Sequence, residues 1–181
     1  IARARGSASF ARLHFGPAPG RMVLQVAAPK KSQKLKKRIL IVDDHPMMRQ
    51  GLAQLINNEA DLTVCCEADT AGQALALIAA SKPDLVLADI SLPDRNGLEL
   101  IKDLHVLSPD VLILVVSMHD EALYAERVLR AGARGYVMKQ EGGRKLMLAI
   151  RQILNGQIYV SEKMSAKILE IFSGRRSQAG G

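Results

Sequence analysis

The chain has 181 residues, of which 48% are apolar and 3% are aromatic, so a folded core must be built from aliphatic side chains. No apolar run approaches the roughly 20 residues that a membrane-spanning helix requires. The net charge of +7 favours a nucleic-acid partner at first sight. However, nine of the 25 Lys and Arg residues lie within residues 1–37, which contain no acid, and the other 16 are outnumbered by 18 Asp and Glu. The charge therefore gives little support to DNA binding by the folded part.

Residues 1–35 are predicted to form a disordered basic tail, because they are rich in Arg, Lys, Ala, Gly and Pro and show no periodicity. The chain begins with Ile1, and Met22 is an alternative start of the natural protein. A transit peptide is a further alternative, since the stretch is basic, contains Ser and lacks acids. The basic run at 30–38 could contact nucleic acid or anionic lipid, but a solvated tail is the favoured interpretation.

The two cysteines, Cys65 and Cys66, are adjacent in a predicted strand. Neighbouring side chains in a strand point to opposite faces, which predicts neither a disulfide nor a metal site here. A reducing, cytoplasmic location fits this cysteine usage.

Short apolar runs alternate with amphipathic stretches from residue 38 onward. Continuous apolar runs of this length are typical of strands buried on both faces, and they lie at 39–42, 62–66, 85–88, 111–116 and 135–138. Helical patterns follow at about 46–58, 71–81, 96–107, 120–131 and 143–154. Five strand–helix repeats with right-handed crossovers predict a doubly wound α/β fold, a parallel sheet with helices on both faces.

An additional helix is predicted within residues 157–173, running from Ser161 to Ser173. Its apolar face would consist of Met164, Ile168, Leu169, Ile171 and Phe172. Packing of this face within the chain is favoured over a dimer seam. Residues 174–181 are rich in Gly, Arg and Ser and predict a linker.

Polar side chains stand where the predicted strands end: Asp43, Asp44, Asp89, Ser117 and Lys139. The carboxyl ends of parallel strands meet at one edge of the sheet, where ligands bind. Carboxylates gathered there repel one another, and Mg²⁺ is a hard cation that takes oxygen ligands together with phosphate. A lysine and a hydroxyl beside such a site suit phosphoryl oxygens. The residues alone predict phosphoryl transfer with Asp89 as the nucleophile.

The segments ILIVDDHP, DLVLADISLPDRNG, VVSMHD and GYVMK, in this order, resemble the response-regulator receiver domain of two-component signalling over about residues 36–156. The stretches SMHDE and GARGYVMK are most similar to the NarL/FixJ-type subgroup. The resemblance implies a flavodoxin-like fold with five parallel strands in the order 2-1-3-4-5. Gln140 departs from the family pattern, in which a proline often follows the lysine.

The resemblance also implies roles for the residues at the strand ends. Asp89 would accept a phosphoryl group from a histidine kinase or phosphotransfer protein, and Lys139 would pair with that group. Mg²⁺ would be held by Asp43, Asp44, Asp89 and the backbone carbonyl of Ser91.

Further roles concern switching and the lifetime of the phosphoryl group. Ser117 would hydrogen-bond the phosphoryl group, and Tyr136 either changes rotamer on activation or simply fills the core. Ser91 and His119 occupy positions that tune phosphoryl hydrolysis, whereas His45, His105 and His119 share no metal-ligand spacing and are expected at the surface. Pro93 and Gly97 would shape the loop after the acceptor.

Alternatives remain for the output that the domain controls and for the class of protein to which it belongs. The family subgroup usually carries a C-terminal helix-turn-helix domain, which implies transcription regulation, DNA contact only through that domain, and a homodimer as one possible state. A stand-alone receiver acting by protein contact is the alternative. A phosphatase with an Asp nucleophile is an alternative of another class, but haloacid-dehalogenase-type enzymes need an Asp-x-Asp motif, whereas Asp43 and Asp44 are adjacent. No membrane association is expected.

Overall fold

The computed structural model describes residues 35–177, with side chains through Glu170. The predicted basic tail falls outside the described residues except for Leu35. No helix within the described part of the chain is long and apolar enough to cross a membrane.

Five parallel strands form one sheet in the order β2-β1-β3-β4-β5, which confirms the predicted topology. They are β1 (Lys37–Val42), β2 (Leu62–Ala68), β3 (Leu85–Ala88), β4 (Leu112–Ser117) and β5 (Gly135–Met138). The first two strands are longer than predicted: β1 begins with the exposed Lys37 and Arg38, and β2 continues through the exposed Glu67 to the buried Ala68.

Six α-helices accompany the sheet: α1 (Pro46–Asn57), α2 (Ala71–Ser81), α3 (Gly97–Leu107), α4 (Glu121–Ala131), α5 (Gly143–Leu154) and α6 (Glu162–Ser177). A short 3₁₀ turn, Lys139–Glu141, joins β5 to α5 and includes Gln140. The bounds of the five strands and of helices α1 to α5 lie within one or two residues of the predicted bounds.

The core consists of two apolar clusters, one on each face of the sheet. Alternate residues of β1 point to opposite faces, so Leu40 and Val42 pack with α2, α3 and α4, whereas Ile39 and Ile41 pack with α1 and α5. This alternation buries the central strands completely.

Local capping explains where the helices begin. The Thr70 hydroxyl accepts a hydrogen bond from the Gln73 amide (3.2 Å), while the Gln73 side chain accepts one from the amide of Asp69 (3.1 Å). Asp120 likewise caps α4 by accepting from the amide of Ala122 (2.9 Å). These contacts satisfy backbone donors that the first helical turn leaves free.

The prediction that the two cysteines point to opposite faces of the sheet is wrong. A register shift between Ile39 and Leu40 creates a bulge in β2 at Cys65, and both thiols then pack against the same cluster. Their Sγ atoms lie 3.3 Å apart as free thiols. Burial raises the pKa of the Cys65 thiol to about 11, so this thiol is protonated at neutral pH.

The additional helix is longer than the sequence indicated. It begins at Glu162 and continues to Ser177, four residues past the predicted end, so the predicted linker starts later; its residues 178–181 lie outside the described residues. Arg175 and Arg176 are good helix formers, and one internal glycine does not end the helix. Met164 is buried and Ile168 packs on the core, but Leu169 is 69% exposed, contrary to its predicted place on the apolar face. The side chains of Ile171 and Phe172 lie outside the described side chains.

Replacing Gly97 by alanine tests the packing under Asp89. A Cβ at this position would lie 2.3 Å from the Asp89 carbonyl oxygen and 2.6 Å from the Cα of Ile90, so the loop after β3 must move. We expect Gly97→Ala to lower the free energy of unfolding by about 1–3 kcal/mol, the usual cost of overpacking.

Gly51→Ala is the matched control, because the added methyl group meets nothing within 4 Å in α1. It should be neutral or stabilising by up to about 1 kcal/mol. Urea denaturation of both variants measures the difference; equal stabilities would contradict this account of the loop.

Candidate functional site

The sheet brings the predicted residues together at the carboxyl edge of its central strands. Asp43 and Asp44 follow β1, Asp89 follows β3, Ser117 ends β4, and Lys139 follows β5. Asp43 is 2% exposed, Asp89 3% and Ser117 0%. Buried charges require partners, and the contacts of each group show how they are satisfied.

The ammonium group of Lys139 lies between two buried carboxylates. Its Nζ is 2.6 Å from Asp43 Oδ2 and 2.7 Å from Asp89 Oδ2, and the lysine side chain is 2% exposed. Burial alone would lower the pKa of Lys139, but the hydrogen bonds and charges of Asp43 and Asp89 outweigh it and raise the pKa. Lys139 is therefore a permanent cation at the centre of the site.

The other oxygens of the aspartate pair face His45. The Asp43 Oδ1 accepts a hydrogen bond from the His45 amide (2.9 Å) and lies 3.1 Å from His45 Nδ1. Asp44 Oδ1 is buried and 2.7 Å from the same ring nitrogen, but it lacks the alignment of a hydrogen bond. His45, expected only at the surface, is exposed and nevertheless contacts both carboxylates.

This arrangement fits a divalent cation. One ligand atom from each of Asp43, Asp44, His45 and Asp89 lies within 4.8 Å of the others. The buried Asp44 Oδ1 accepts no hydrogen bond, although it lies close to His45. Mg²⁺ prefers oxygen to imidazole nitrogen, which favours the three carboxylates over His45 as its ligands.

Two loops meet above Asp89. The amide of Ser91 donates a long hydrogen bond to Asp89 Oδ1 (3.3 Å), and the Ser91 hydroxyl lies 2.8 Å from His119 Nε2. The His119 ring also packs on Tyr124, with centroids 4.8 Å apart. A side-chain hydrogen bond thus joins the loop after β3 to the loop after β4 at the rim of the site.

Ser117 and Tyr136 are coupled through the backbone of His119. The Ser117 hydroxyl accepts a long hydrogen bond from the His119 amide (3.4 Å), and the Tyr136 hydroxyl donates to the His119 carbonyl (2.8 Å). Burial raises the pKa of Tyr136 to about 12, although the Ser117 hydroxyl acts in the opposite direction. The buried phenol is therefore a neutral hydrogen-bond donor at ordinary pH.

Comparison with known proteins identifies the family of this chain. The profile of the response regulator receiver domain matches residues 39–151. The chain belongs to the response-regulator receiver family. Receivers of this family are signalling proteins and not conventional enzymes.

The relatives place this receiver domain in the NarL/LuxR group. It is 33% identical over 135 residues to the transcriptional regulatory protein DegU of Brevibacillus brevis, covering 75% of this chain and 57% of DegU. A LuxR-family response regulator from Aurantimonas sp. SI85-9A1 superposes with a TM-score of 0.70 at 34% identity, covering 76% of this chain and 99% of that one. The NarL receiver domain from Mycobacterium tuberculosis gives 0.64 at 28% identity, covering 68% and 99%. The chain thus spans little more than half the length of DegU.

The sequence did not predict one contact that shapes the loop after β3. The Asp94 carboxylate accepts hydrogen bonds from the amides of Ala71 (2.9 Å) and Gly72 (2.8 Å), which fastens the loop after β3 to the start of α2. These bonds lower the pKa of Asp94. Asp before a turn is a weak signal by itself, and nothing local indicates its distant partner.

Replacing Lys139 by methionine tests the ion pairs. Two buried carboxylates would lose their shared cation, and breaking a buried pair typically costs about 3–5 kcal/mol. We expect Lys139→Met to lose stability of that order at pH 7 without divalent cations, and to be stabilised by Mg²⁺ more than the wild type is. Lys145→Met, which removes an exposed ion pair with Glu141, is the control and should change stability little.

The pH dependence of this loss has a defined sign. Because the lysine pKa is raised above its ordinary 10.5, the stabilisation by Lys139 is fully present below pH 10 and is lost as the pH rises through the raised value. Urea denaturation from pH 7 to 11.5 should show the wild-type advantage over Lys139→Met constant up to about pH 10 and smaller above it. An advantage that grows with alkaline pH would contradict the assignment.

Proposed function

We propose that this receiver domain is a phosphorylation-dependent switch whose phosphoacceptor is Asp89. An oxygen of the Asp89 carboxylate attacks the phosphorus of a phosphohistidine on a kinase or phosphotransfer protein. The phosphorus–nitrogen bond breaks, and the imidazole nitrogen leaves with the electron pair. The observation that carries this proposal is the buried Asp89 carboxylate, held 2.7 Å from Lys139 at the ligand-binding edge of the sheet.

The residues around Asp89 neutralise charge during the transfer. Lys139 is already oriented by Asp43 and would pair with the oxygens of the incoming group. Asp43, Asp44, Asp89 and the Ser91 backbone carbonyl would hold Mg²⁺, which when bound supplies charge neutralisation for phosphoryl oxygens. Ser117, at the end of the adjacent strand, would donate its hydroxyl hydrogen to the phosphoryl group.

The switch follows from the contacts of Ser117. An acyl phosphate brings about −1.5 to −2 charges, by analogy with other phospho-residues, and draws the Ser117 hydroxyl inward. The His119 amide then loses its acceptor, and the Tyr136 hydroxyl bonded to the His119 carbonyl moves with that loop. The surface of α4 and β5 changes in consequence.

The relatives support a proposal for the output that the switch controls. DegU is described as a transcriptional regulatory protein, so we propose that this receiver controls a DNA-binding output, in the cytoplasm, with a homodimer as one form of the signal. Direct signalling by protein contact is the alternative. Phosphorylation at Asp89 is common to both.

Phosphorylation by a small donor tests the central step. Incubation of the full chain with acetyl phosphate and Mg²⁺ should add the mass of one phosphoryl group, read by intact mass spectrometry. Asp89→Asn should abolish the increment, because an amide oxygen is a far weaker nucleophile. Asp110→Asn, an exposed substitution, is the control and should retain it. An equal increment in Asp89→Asn would contradict the assignment.

The Ser91–His119 hydrogen bond predicts the lifetime of the phosphoryl group. This bond spans the rim of the site, and its loss should admit water more readily to the acyl phosphate. We expect the double variant Ser91→Ala, His119→Ala to lose the phosphoryl group several-fold faster than the wild type. Intact mass followed after removal of the donor measures the decay, and identical decay rates would refute the role of the pair.

A further inference from the structure

The segment before α6 extends the sheet beyond β5. The Tyr159 amide donates to the Arg134 carbonyl (2.9 Å), and the Tyr136 amide donates to the Tyr159 carbonyl (2.9 Å). Gly135 pairs with Tyr159 in a parallel bridge. A Cβ at Gly135 would lie 2.6 Å from the Tyr159 carbonyl oxygen, so the absent side chain is what permits this close approach. Tyr159 therefore covers the outer edge of β5.

The start of α6 is fixed to the start of α4. Glu121 Oε1 accepts a hydrogen bond from the Ser161 amide (2.8 Å), and the Ser161 hydroxyl accepts one from the Met164 amide (3.2 Å). A carboxylate that accepts from an amide is a charge-assisted acceptor. One side chain of α4 thus orients the cap of α6.

Apolar packing completes the contact. Met164 is 3% exposed and belongs to the same cluster as Ala125 and Val128 of α4, and Ile168 packs against that cluster one turn later. The α4 surface that α6 covers is the surface proposed above to change on phosphorylation. Within the described part of the chain, α4 packs against both α3 and α6.

Tyr136 connects this contact to the acceptor site. Its hydroxyl donates to the His119 carbonyl, while its own amide donates to the Tyr159 carbonyl. His119 in turn bonds the Ser91 hydroxyl beside Asp89. A continuous set of hydrogen bonds therefore runs from the acceptor loop to the segment that precedes α6.

We propose that residues 157–161 and the α6 helix form an intramolecular latch on the α4–β5 surface, and that phosphorylation at Asp89 releases it. The inference rests on the proposed function, because the release begins with the movement of the His119 loop. When Tyr136 follows that loop, its backbone bond to Tyr159 and the packing of Met164 are disturbed together. Binding linkage is reciprocal, so the closed latch also opposes the phosphorylated state.

Amide hydrogen exchange on the full chain tests the latch. In the unmodified protein, the amides of Tyr159 and Ser161 should be protected. Glu121→Ala should speed their exchange by about tenfold, as expected for loss of a charge-assisted hydrogen bond. Glu121→Gln keeps an acceptor oxygen and should retain most of the protection. Glu126→Ala is the matched control, since Glu126 pairs with Arg130 within α4, and it should leave these amides unchanged.

Phosphorylation provides the second comparison. After acetyl phosphate and Mg²⁺, chains that carry the phosphoryl mass increment should exchange the Tyr136, Tyr159 and Ser161 amides faster. Unchanged exchange in chains with the increment overturns the latch and leaves the proposed function standing. Absence of any increment overturns the proposed function, and the release with it. Equal exchange in wild type and Glu121→Ala overturns the latch whatever the phosphorylation result.

Discussion

The site depends on one cation held between two buried carboxylates. Lys139 follows the edge strand β5, and its side chain reaches past β4 to Asp89 and Asp43, which follow β3 and β1. At 4 Å and an effective dielectric near 20, two like charges repel by about 4 kcal/mol. The ammonium group removes that penalty and also draws three strand ends into one geometry.

One lysine does not neutralise the whole cluster. Asp43, Asp44 and Asp89 contribute three negative charges against one positive charge, and Asp44 Oδ1 is left buried without an aligned partner. The residual charge favours a further cation, and a hard divalent ion suits carboxylate oxygens. Under the proposed function, the same arrangement that stabilises the fold would also prepare the site for a phosphoryl group. Stability and function draw on the same charges, so substitutions here are expected to affect both.

Much of the fold and the membership of the site could be predicted from local pattern. Uninterrupted aliphatic runs, such as the one ending at Val42, indicate buried strands. The parallel topology then brings Asp43, Asp89 and Lys139 to one edge of the sheet. Thr70 and Asp120 mark helix starts because their caps are local interactions. These features need only a few neighbouring residues to be specified.

The features that were missed depend on partners distant in sequence. The bulge at Cys65 comes from the register between two strands, and no neighbouring residue encodes it. The hydrogen bond from Ser161 to Glu121 joins residues 40 positions apart. Gly135 could have indicated a close backbone contact from the sequence, because glycine inside a strand often marks one. Its partner Tyr159, however, is evident only in the folded structure. The path of hydrogen bonds from the loop after β3 to α6 therefore exists only in the folded chain.

The dependence of phosphoryl uptake on Mg²⁺ tests the central claim most directly. Uptake from acetyl phosphate should be measured across a Mg²⁺ titration in the wild type and in Asp44→Asn, which removes one carboxylate and leaves Asp89 and Lys139 in place. The account predicts uptake that saturates with Mg²⁺, vanishes with a chelator, and requires at least about tenfold more Mg²⁺ in Asp44→Asn. Uptake that proceeds equally in the chelator, or an unchanged Mg²⁺ requirement in Asp44→Asn, would contradict it.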